Sequence, residues 1–333
     1  MTDRSEAPSG PVAGNGGPRP RSDIWVVVVN YGSHRLVEDN FVALSAGHDR
    51  TVHVVVVDNF SDTHERVAIR RICERNGWHL VEMEGNPGFA AGCNAGVRTA
   101  RDAGAPSVIL VNPDAQLTTP VAVELWDQTL EKPADLVAPA ILTSDGGTYF
   151  QGIRLDLRSG RMRGRRWPED SADAVYVSSS MPWRDWLTGA CLAFSVSLWE
   201  RAGGLDERYF LYWEDVDFSQ RCVEVGAQLC LRRDLAVVHD EGATHGRQGS
   251  RARSSIYYYY NCRNRLIYAR THLPRGALLG WMLRTPDQSW QILLRGGRRQ
   301  LLQTPKPLFA VLAGSLSGLA GALPVALRPL RRG

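Results

Sequence analysis

A cluster of three carboxylates gives this chain its clearest chemical signature. Glu214, Asp215 and Asp217 lie within four positions, with aromatic residues on both sides. Because like charges repel, such a cluster costs free energy and indicates a function, either cation binding or a carboxylate held as a general base. A solvated acidic turn is the alternative that the cluster alone leaves open. Its context favours chemistry, because Asp114 follows a hydrophobic run upstream and His239 ends another one downstream.

Hydrophobic runs separated by helical stretches must position these residues. The runs begin at Ile24, His53, Leu80 and Ser107, and the intervening stretches 34–47, 63–77 and 90–103 are predicted to be helical. Continuous apolar runs are typical of parallel strands that are buried on both faces. Alternating strands and helices predict a doubly wound, mostly parallel α/β sheet.

The polar residues of the first half follow the strands directly. Ligands bind such sheets at the carboxyl ends of the strands. The residues at these ends are Asn30 and Tyr31, Asp58 and Asn59, and Asn112, Pro113 and Asp114. The sequence therefore predicts a ligand site along this edge.

The second half carries weaker patterns. Residues 145–185 are expected to form loops or short strands, 187–194 a strand, 197–202 a helix and 217–226 another helix. Residues 227–231 and 235–239 are predicted as two short strands, and 254–333 as mostly helical.

Composition places the chain among soluble globular proteins, with 44% hydrophobic and 22% charged residues in 333. Six cysteines without metal-type spacing indicate free thiols in a reducing cytosol. No signal segment is recognisable, and residues 1–22, rich in Pro, Gly and Ser, predict a disordered tail.

Charge is distributed unevenly along the chain. From Arg247 to Gly333 there are 14 Arg and one Lys against Asp287 alone, so a strongly basic region ends a chain whose net charge is only +4. Such a region indicates an anionic partner, either a membrane surface or nucleic acid. No RNP, zinc-finger or helix-turn-helix pattern supports nucleic acid.

The common phosphate-binding loops are absent from the sequence. No GxGxxG follows the first strand, and no GxxxxGK[ST] occurs. The diphosphate of a bound nucleotide would then need a divalent cation on a strand-end carboxylate, for which Asp114 is the candidate; a simple turn at Asn112–Asp114 is the alternative. Asn86, Gly88 and Asn94 surround a helix start whose backbone N–H groups can face an anion or a sugar hydroxyl.

Nine motifs in a fixed order identify a family. The segments are Asn30-Tyr31, Val57–Asp62, Asn86–Gly96, Leu110–Asp114, Thr188–Ala190, Gly203–Glu207, Trp213–Asp217, His239 and Arg263-Asn264. Together they resemble the family 2 glycosyltransferases of the GT-A fold, and they are most similar to the bacterial rhamnosyltransferase-like branch. The resemblance covers about residues 24–270, with Leu205 standing where the family usually has Phe.

The resemblance implies a nucleotide-sugar donor, Mg²⁺ or Mn²⁺, and inversion at the anomeric carbon. Asp58 would contact the base, with Asn30 and Tyr31 near the base and ribose. Asp114 would bind the metal and diphosphate, and His239 would be a further metal ligand. The remaining donor-side residues would be Asn59, Asn86, Gly88, Asn94 and Asn112.

The same resemblance assigns the acceptor side. Asp215 would be the general base, while Glu214 and Asp217 would shape the acceptor pocket. The other acceptor-side residues would be Thr188, Gly189, Ala190, Trp213, Arg263 and Asn264.

A GT-A domain over residues 23–250 and a basic, helical, membrane-associating region over 251–333 are the expected organisation. Residues 308–327 carry no charge over a length that could span a bilayer, but their Gly and Pro content favours a helix lying on the membrane. The expected protein is cytoplasmic and peripheral on the inner membrane face. It would move rhamnose from dTDP-rhamnose to a lipid-linked or small glycan acceptor.

Three alternatives and one question stay open at this stage. The donor could be a UDP-hexose, and the acceptor a specialised metabolite or a glycolipid antibiotic intermediate. The chain could also be a non-catalytic membrane or nucleic-acid binding module. The oligomeric state is open.

Overall fold

A ten-stranded mixed sheet forms the centre of the computed structural model, which describes residues 23–45, 50–165, 167, 174–177, 181–239 and 252–326. The predictions for residues 1–22, for the loop after His239 and for the last seven residues lie outside this range. The strands are β1 (Ile24–Asn30), β2 (Val52–Asp58), β3 (His79–Glu82), β4 (Ser107–Val111), β5 (Ala115–Gln116), β6 (Asp135–Leu142), β7 (Thr148–Phe150), β8 (Ile153–Asp156), β9 (Met162–Gly164), β10 (Ala174–Val177), β11 (Trp183–Trp186), β12 (Cys191–Ser195) and β13 (Gln228–His239).

Helices cover the sheet and form the C-terminal region. They are α1 (His34–Phe41), α2 (Thr63–Asn76), α3 (Phe89–Asp102), α4 (Thr119–Glu131), α5 (Val196–Ala202), α6 (Glu214–Glu224), α7 (Ser255–His272), α8 (Arg275–Leu283), α9 (Thr285–Leu294), α10 (Arg298–Gln303) and α11 (Lys306–Ala326). The α/β class and the C-terminal helical region are as predicted. A short 3-10 turn, Val42–Ser45, follows α1.

The four valine-rich strands at the start of the chain are parallel neighbours, in the order β4-β1-β2-β3. Every residue of β1 is buried, as expected for a strand covered on both faces. In this register Asn30 lies beside Asp58 at the carboxyl ends of β1 and β2. The predicted site edge therefore exists as one continuous row.

Strand β12 lies antiparallel between β4 and β6 and interrupts the parallel arrangement. Its first residue, Cys191, pairs with Val111, the last residue of β4. This antiparallel pairing brings the segment that precedes β12 to the same edge as the residues that follow β4.

Strand β13 is a single strand of twelve residues, whereas the sequence predicted two short ones. Its register against β6 shifts between Arg232 and Ala236, so a bulge lies in the charged stretch between the two apolar halves. The strand then continues to His239, which pairs with Ala115 of β5.

Residues 145–185 contain the predicted short strands, and three of them form a second sheet in the order β11-β8-β9. Leu155 of β8 is fully buried against the main core, as expected for a strand whose side chains point alternately to its two faces. The sheet also meets the C-terminal region, where the Trp281 indole N–H donates to the Leu157 carbonyl at 2.7 Å.

The C-terminal helices share their core with the sheet. Leu266, Tyr268 and Trp281 belong to the same buried cluster as the strands. Helix α11 lies very close to α7, because a Cβ added at Gly314 would be 2.2 Å from the Tyr259 carbonyl oxygen. Small residues at such positions allow two helix backbones to approach.

Candidate functional site

The segment Thr188–Ala190 joins two predicted parts of the site. The Asn112 N–H donates to the Ala190 carbonyl at 3.0 Å, and the Gly189 N–H donates to Asp215 Oδ2 at 3.0 Å. Two consecutive residues thus contact the residue after β4 and the predicted base on α6. Gly189 also packs directly on the predicted base, since an added Cβ would be in van der Waals contact with Asp215 Cβ, at 3.4 Å.

Asp215 occupies the first turn of α6, and a sharp turn leads to it. Tyr212 and Trp213 have φ values of +67° and +75°, a left-handed conformation that residues with a side chain rarely adopt. The Val216 N–H donates to Asp215 Oδ1 at 2.8 Å. Both carboxylate oxygens therefore accept a backbone N–H, at a helix N-terminus whose dipole favours negative charge.

The two neighbouring carboxyl groups, Asp215 and Glu214, both have raised pKa values, for partly different reasons. Burial raises the pKa of Asp215 to about 6, against the opposing effect of the N–H groups of Gly189 and Val216. Burial, and then repulsion from Asp215, raise the pKa of Glu214 well above its ordinary value. Of the two carboxyl groups, Asp215 has the two N–H contacts that favour the ionised form, so it is the better placed to act as a proton acceptor.

Asp114 and His239, the two residues predicted to bind a metal ion, lie next to each other. Pairing of β13 with β5 brings the strand end to the turn after β4, and His239 Nε2 lies 3.1 Å from Asp114 Oδ1. The His239 side chain is 6% exposed and the Asp114 side chain 9%.

Two further polar atoms near this pair are unused. His239 Nδ1 and Asn112 Oδ1 are buried and have no hydrogen-bond partner among the described residues. An imidazole nitrogen and an amide oxygen of this kind, next to the Asp114 carboxylate, fit a divalent cation that takes its remaining ligands from a substrate and from water. Within the described ranges no group of three or more His, Cys, Asp or Glu side chains could hold a metal ion by itself.

The polar residues at the ends of β1 and β2 are buried and bonded within the protein. Asn30 Nδ2 donates to Glu65 Oε1 at 3.2 Å, and Asn30 Oδ1 accepts the Ser33 N–H at 3.1 Å. Asp58 is fully buried, and its Oδ2 accepts from Arg66 Nε at 2.6 Å. Only Tyr31 is exposed in this group, at 49%.

Sequence reasoning missed Glu65 and Arg66, the two partners on α2. A signal for this helix start was present, because Asp62 and Glu65 have the spacing of an N-terminal cap, and Asp62 Oδ1 accepts the Glu65 N–H at 2.8 Å. The guanidinium of Arg66 lies 4.4 Å from the centre of the Phe60 ring, above the end of β2. These contacts fix the loop where the nucleotide base is expected.

Asn59, Asn86 and Gly88 form one connected turn. Asn59 Nδ2 donates to the Gly88 carbonyl at 2.9 Å, and Asn86 Oδ1 accepts the Gly88 N–H at 3.0 Å. Gly88 has φ +102°, and an added Cβ would lie 2.6 Å from the Phe210 carbonyl oxygen. The turn therefore packs against the segment that leads to Asp215.

Asn94 and Asp217 have structural contacts instead of the predicted ligand contacts. Asn94 Nδ2 donates to the Leu205 carbonyl at 2.8 Å, and Asn94 Oδ1 accepts the Leu205 N–H at 2.8 Å. Asp217 is fully buried, and it binds Arg221 Nε and His272 Nε2, each at 2.7 Å. Asn94 thus joins α3 to the loop before α6, and Asp217 joins α6 to the end of α7.

Of the remaining residues predicted for the acceptor side, some have structural contacts and others lie next to Asp215. Trp213 is buried and packs against Tyr268 and Trp281. Asn264 is fully buried, and Arg263 Nη1 donates to the Arg208 carbonyl at 3.1 Å. The Thr188–Ala190 segment and Glu214 are the predicted acceptor residues that adjoin Asp215.

Known proteins resemble this chain over most of its length. Residues 25–185 match the family described as Glycosyl transferase family 2. The low-salt glycan biosynthesis hexosyltransferase Agl10 of Haloferax volcanii is 25% identical over 74% of this chain and 75% of its own. The N-acetylglucosaminyl-diphospho-decaprenol L-rhamnosyltransferase of Mycobacterium tuberculosis is 29% identical over 67% and 77%. The dTDP-rhamnosyl transferase RfbF of Shigella flexneri is 22% identical over 76% and 82%.

Solved structures support the fold. The mannosyltransferase PcManGT of Pyrobaculum calidifontis, in complex with GDP-Man and Mn²⁺, aligns with a TM-score of 0.53 at 17% identity, over 92% of this chain and 88% of its own. Its likeness shows the GT-A-like arrangement of the sheet and helices. Residues 25–185 therefore carry a glycosyl transferase family 2 domain, and with a hexosyltransferase and rhamnosyltransferases among its relatives the chain is a glycosyltransferase.

Proposed function

We propose that this glycosyltransferase moves rhamnose from dTDP-rhamnose, with inversion, to a hydroxyl of a lipid-linked or cell-envelope glycan. The donor proposal rests on the names of the Mycobacterium and Shigella relatives, and the acceptor proposal on the diphospho-decaprenol substrate in the former. The position of Asp215 beside the end of β4 is the observation that carries the proposal.

Inverting transfer is a single in-line displacement, so the acceptor hydroxyl needs a base within hydrogen-bond reach as it attacks. Asp215 is suited to this role, because its two N–H contacts fix its orientation and its pKa of about 6 leaves it ionised at neutral pH. The Asn112–Ala190 contact sets the distance between this base and the donor side. Burial raises the pKa of Glu214 well above its ordinary value, and in its protonated form Glu214 would donate a hydrogen bond to the acceptor without competing for its proton.

Asp114 and His239 are the residues that would hold Mg²⁺ or Mn²⁺. When bound, the cation would stabilise the negative charge that develops on the leaving diphosphate. The protein's own contribution is to hold the carboxylate and imidazole 3.1 Å apart at the end of two paired strands. Two protein ligands are a sparse set, so most of the coordination would come from diphosphate oxygens and water.

Helix α11 supports a location at the cytoplasmic membrane face. It is the only helix among the described residues that is long and apolar enough to cross a membrane by length and composition. One face lies against α7, whereas Phe309, Leu312 and Leu316 are 65%, 50% and 67% exposed. An apolar face in a region of high positive charge fits an interfacial helix on anionic lipid, where a polyprenyl-linked acceptor would reside.

A panel of dTDP-rhamnose, UDP-glucose, UDP-galactose, UDP-N-acetylglucosamine and GDP-mannose, each with and without Mn²⁺, tests the donor. A donor that binds the native state raises the melting temperature. We expect a metal-dependent rise with dTDP-rhamnose, followed by rhamnose transfer to a polyprenyl-diphosphate sugar. A rise in melting temperature with a UDP-hexose alone would mean that the donor is this UDP-hexose and that the proposed transfer reaction still holds. Folded protein that responds to no donor and transfers no sugar would remove the proposed function.

A further inference from the structure

We propose that Asn264 is a positioning residue, which sets the orientation of the Asp215 carboxylate through the turn at residues 211–213. The inference rests on the proposed function, in which Asp215 is the base. It replaces the acceptor contact that the sequence predicted for Asn264.

The side chain of Asn264 is committed to this turn. It is fully buried on α7, and its Nδ2 donates to the Leu211 carbonyl at 2.9 Å and to the Tyr212 carbonyl at 2.7 Å. Its Oδ1 accepts from Arg263 Nη1 at 2.9 Å. Both amide hydrogens are therefore used on consecutive carbonyl groups, and the side chain acts as a clamp on the backbone.

The turn needs such a clamp because its conformation is unfavourable. Tyr212 and Trp213 both have positive φ, and left-handed residues with a side chain persist only when their surroundings hold them. Trp213 also caps α6 without any hydrogen bond from its own side chain. The two residues before the carboxylate cluster thus depend on contacts from elsewhere, and Asn264 supplies a buried hydrogen bond to the first of them, at the Tyr212 carbonyl.

The position of Asp215 follows from this turn. Asp215 is the second residue of α6, so a rotation at Trp213 would move its Oδ2 relative to the Gly189 N–H, now 3.0 Å away. Hydrogen bonds to a carboxylate favour its ionised form. Loosening the turn should therefore misplace the base and also make it harder to ionise. The first effect would lower kcat, and the second would shift the pH dependence of kcat/KM.

Helix α7 offers a matched control one turn earlier. Asn261 is also buried, but its Nδ2 donates to Tyr257 of its own helix, at 2.9 Å. Replacing Asn261 by Leu removes an amide from the same helix without touching the turn. Asn264→Leu removes the clamp with a side chain of similar branching, and Asn264→Ala removes it without adding bulk or charge beside the two carbonyl groups.

The experiment measures kcat, the donor KM and the pH dependence of kcat/KM for these three variants and the wild type. We expect both Asn264 variants to lower kcat at least tenfold, since small misplacements of reacting groups cost up to about a hundredfold. Their donor KM should change less than twofold, and the acidic limb of the pH profile should move to higher pH. Asn261→Leu should match the wild type in all three.

The inference is wrong if a folded Asn264 variant has the kcat and the pH profile of Asn261→Leu. Asn264→Ala decides the matter if Asn264→Leu does not fold, because it brings neither bulk nor charge into the buried site. A wild-type enzyme that transfers no sugar would instead remove the proposed function, and this inference with it.

Discussion

The Gly189 N–H and the Asp215 carboxylate are joined by a 3.0 Å hydrogen bond across 26 residues of sequence. The residue after Gly189 contacts Asn112, so the position of the base is tied to the end of β4 through two adjacent peptide groups. A donor bound at the strand ends and an acceptor bound at Asp215 would meet across this segment. The geometry makes the charge of Asp215 the first property to test.

Asp215→Asn should lower kcat by about 10² to 10⁴, the usual contribution of a general base. The variant keeps the size of the side chain, so donor-induced stabilisation should be nearly unchanged. Transfer rates and thermal shifts with the identified donor check both parts. Glu224→Gln is the control, since Glu224 is an exposed carboxylate at the other end of α6. Comparable turnover in Asp215→Asn would exclude this residue as the base.

The pH dependence of the wild type should follow the same carboxylate. Since the base must be ionised, and burial raises the pKa of Asp215 to about 6, kcat/KM should fall as the pH drops through about 6 and level off above 7. Measuring kcat/KM from pH 5 to pH 8 gives the limb directly. A kcat/KM that stays level down to pH 5, as expected for an exposed carboxylate with a pKa of about 4, would contradict the proposed environment.

His239→Ala should raise the metal concentration required for half-maximal activity. The expected change is at least about tenfold, because even losing a hydrogen-bond partner of a metal ligand costs that much. A Mn²⁺ titration of activity measures it. His53→Ala is the control, because His53 pairs with Asp23 near the opposite end of the strands. Identical titrations for the two variants would mean that His239 is not a ligand.

Gly88→Ala should weaken donor binding and stability together. Gly88 has φ +102°, and the new Cβ would lie 2.6 Å from the Phe210 carbonyl oxygen. Backbone strain of this kind costs on the order of 1–3 kcal/mol. Gly85→Ala is a matched control, since a Cβ there meets nothing within 4 Å. Melting temperatures with and without donor should separate the two variants; equal values would show that the turn tolerates a side chain.

The strand-end residues were predictable because parallel strands place their carboxyl ends at one edge. Asn30, Asp58 and Asp114 lie there as expected, and His239 reaches Asp114. The sequence could not show which partner each polar side chain binds. Asn94 faces Leu205, 111 positions away, and such a partner leaves no local pattern.

The second half was harder to predict for a related reason. The strands between β6 and β12 are three or four residues long, too short for a clear alternation. The antiparallel position of β12 depends on its pairing with both β4 and β6, which are tertiary contacts that leave no local pattern in the sequence. His272 belongs to no motif of the sequence, yet its side chain is 2% exposed and binds Asp217, 55 positions away.

Leu312→Glu combined with Leu316→Glu should abolish binding to vesicles that contain anionic lipid. Both residues lie on the exposed face of α11, so the charges should not disturb its packing on α7. Placing two charges at the depth of the acyl chains opposes insertion, and repulsion from anionic headgroups adds to the effect. Val67→Glu, an exposed apolar position on α2, controls for added charge. Sedimentation with vesicles at low and physiological salt measures binding. If the double variant still sediments as the wild type does, α11 is not the membrane anchor, and the acceptor must be met by another surface.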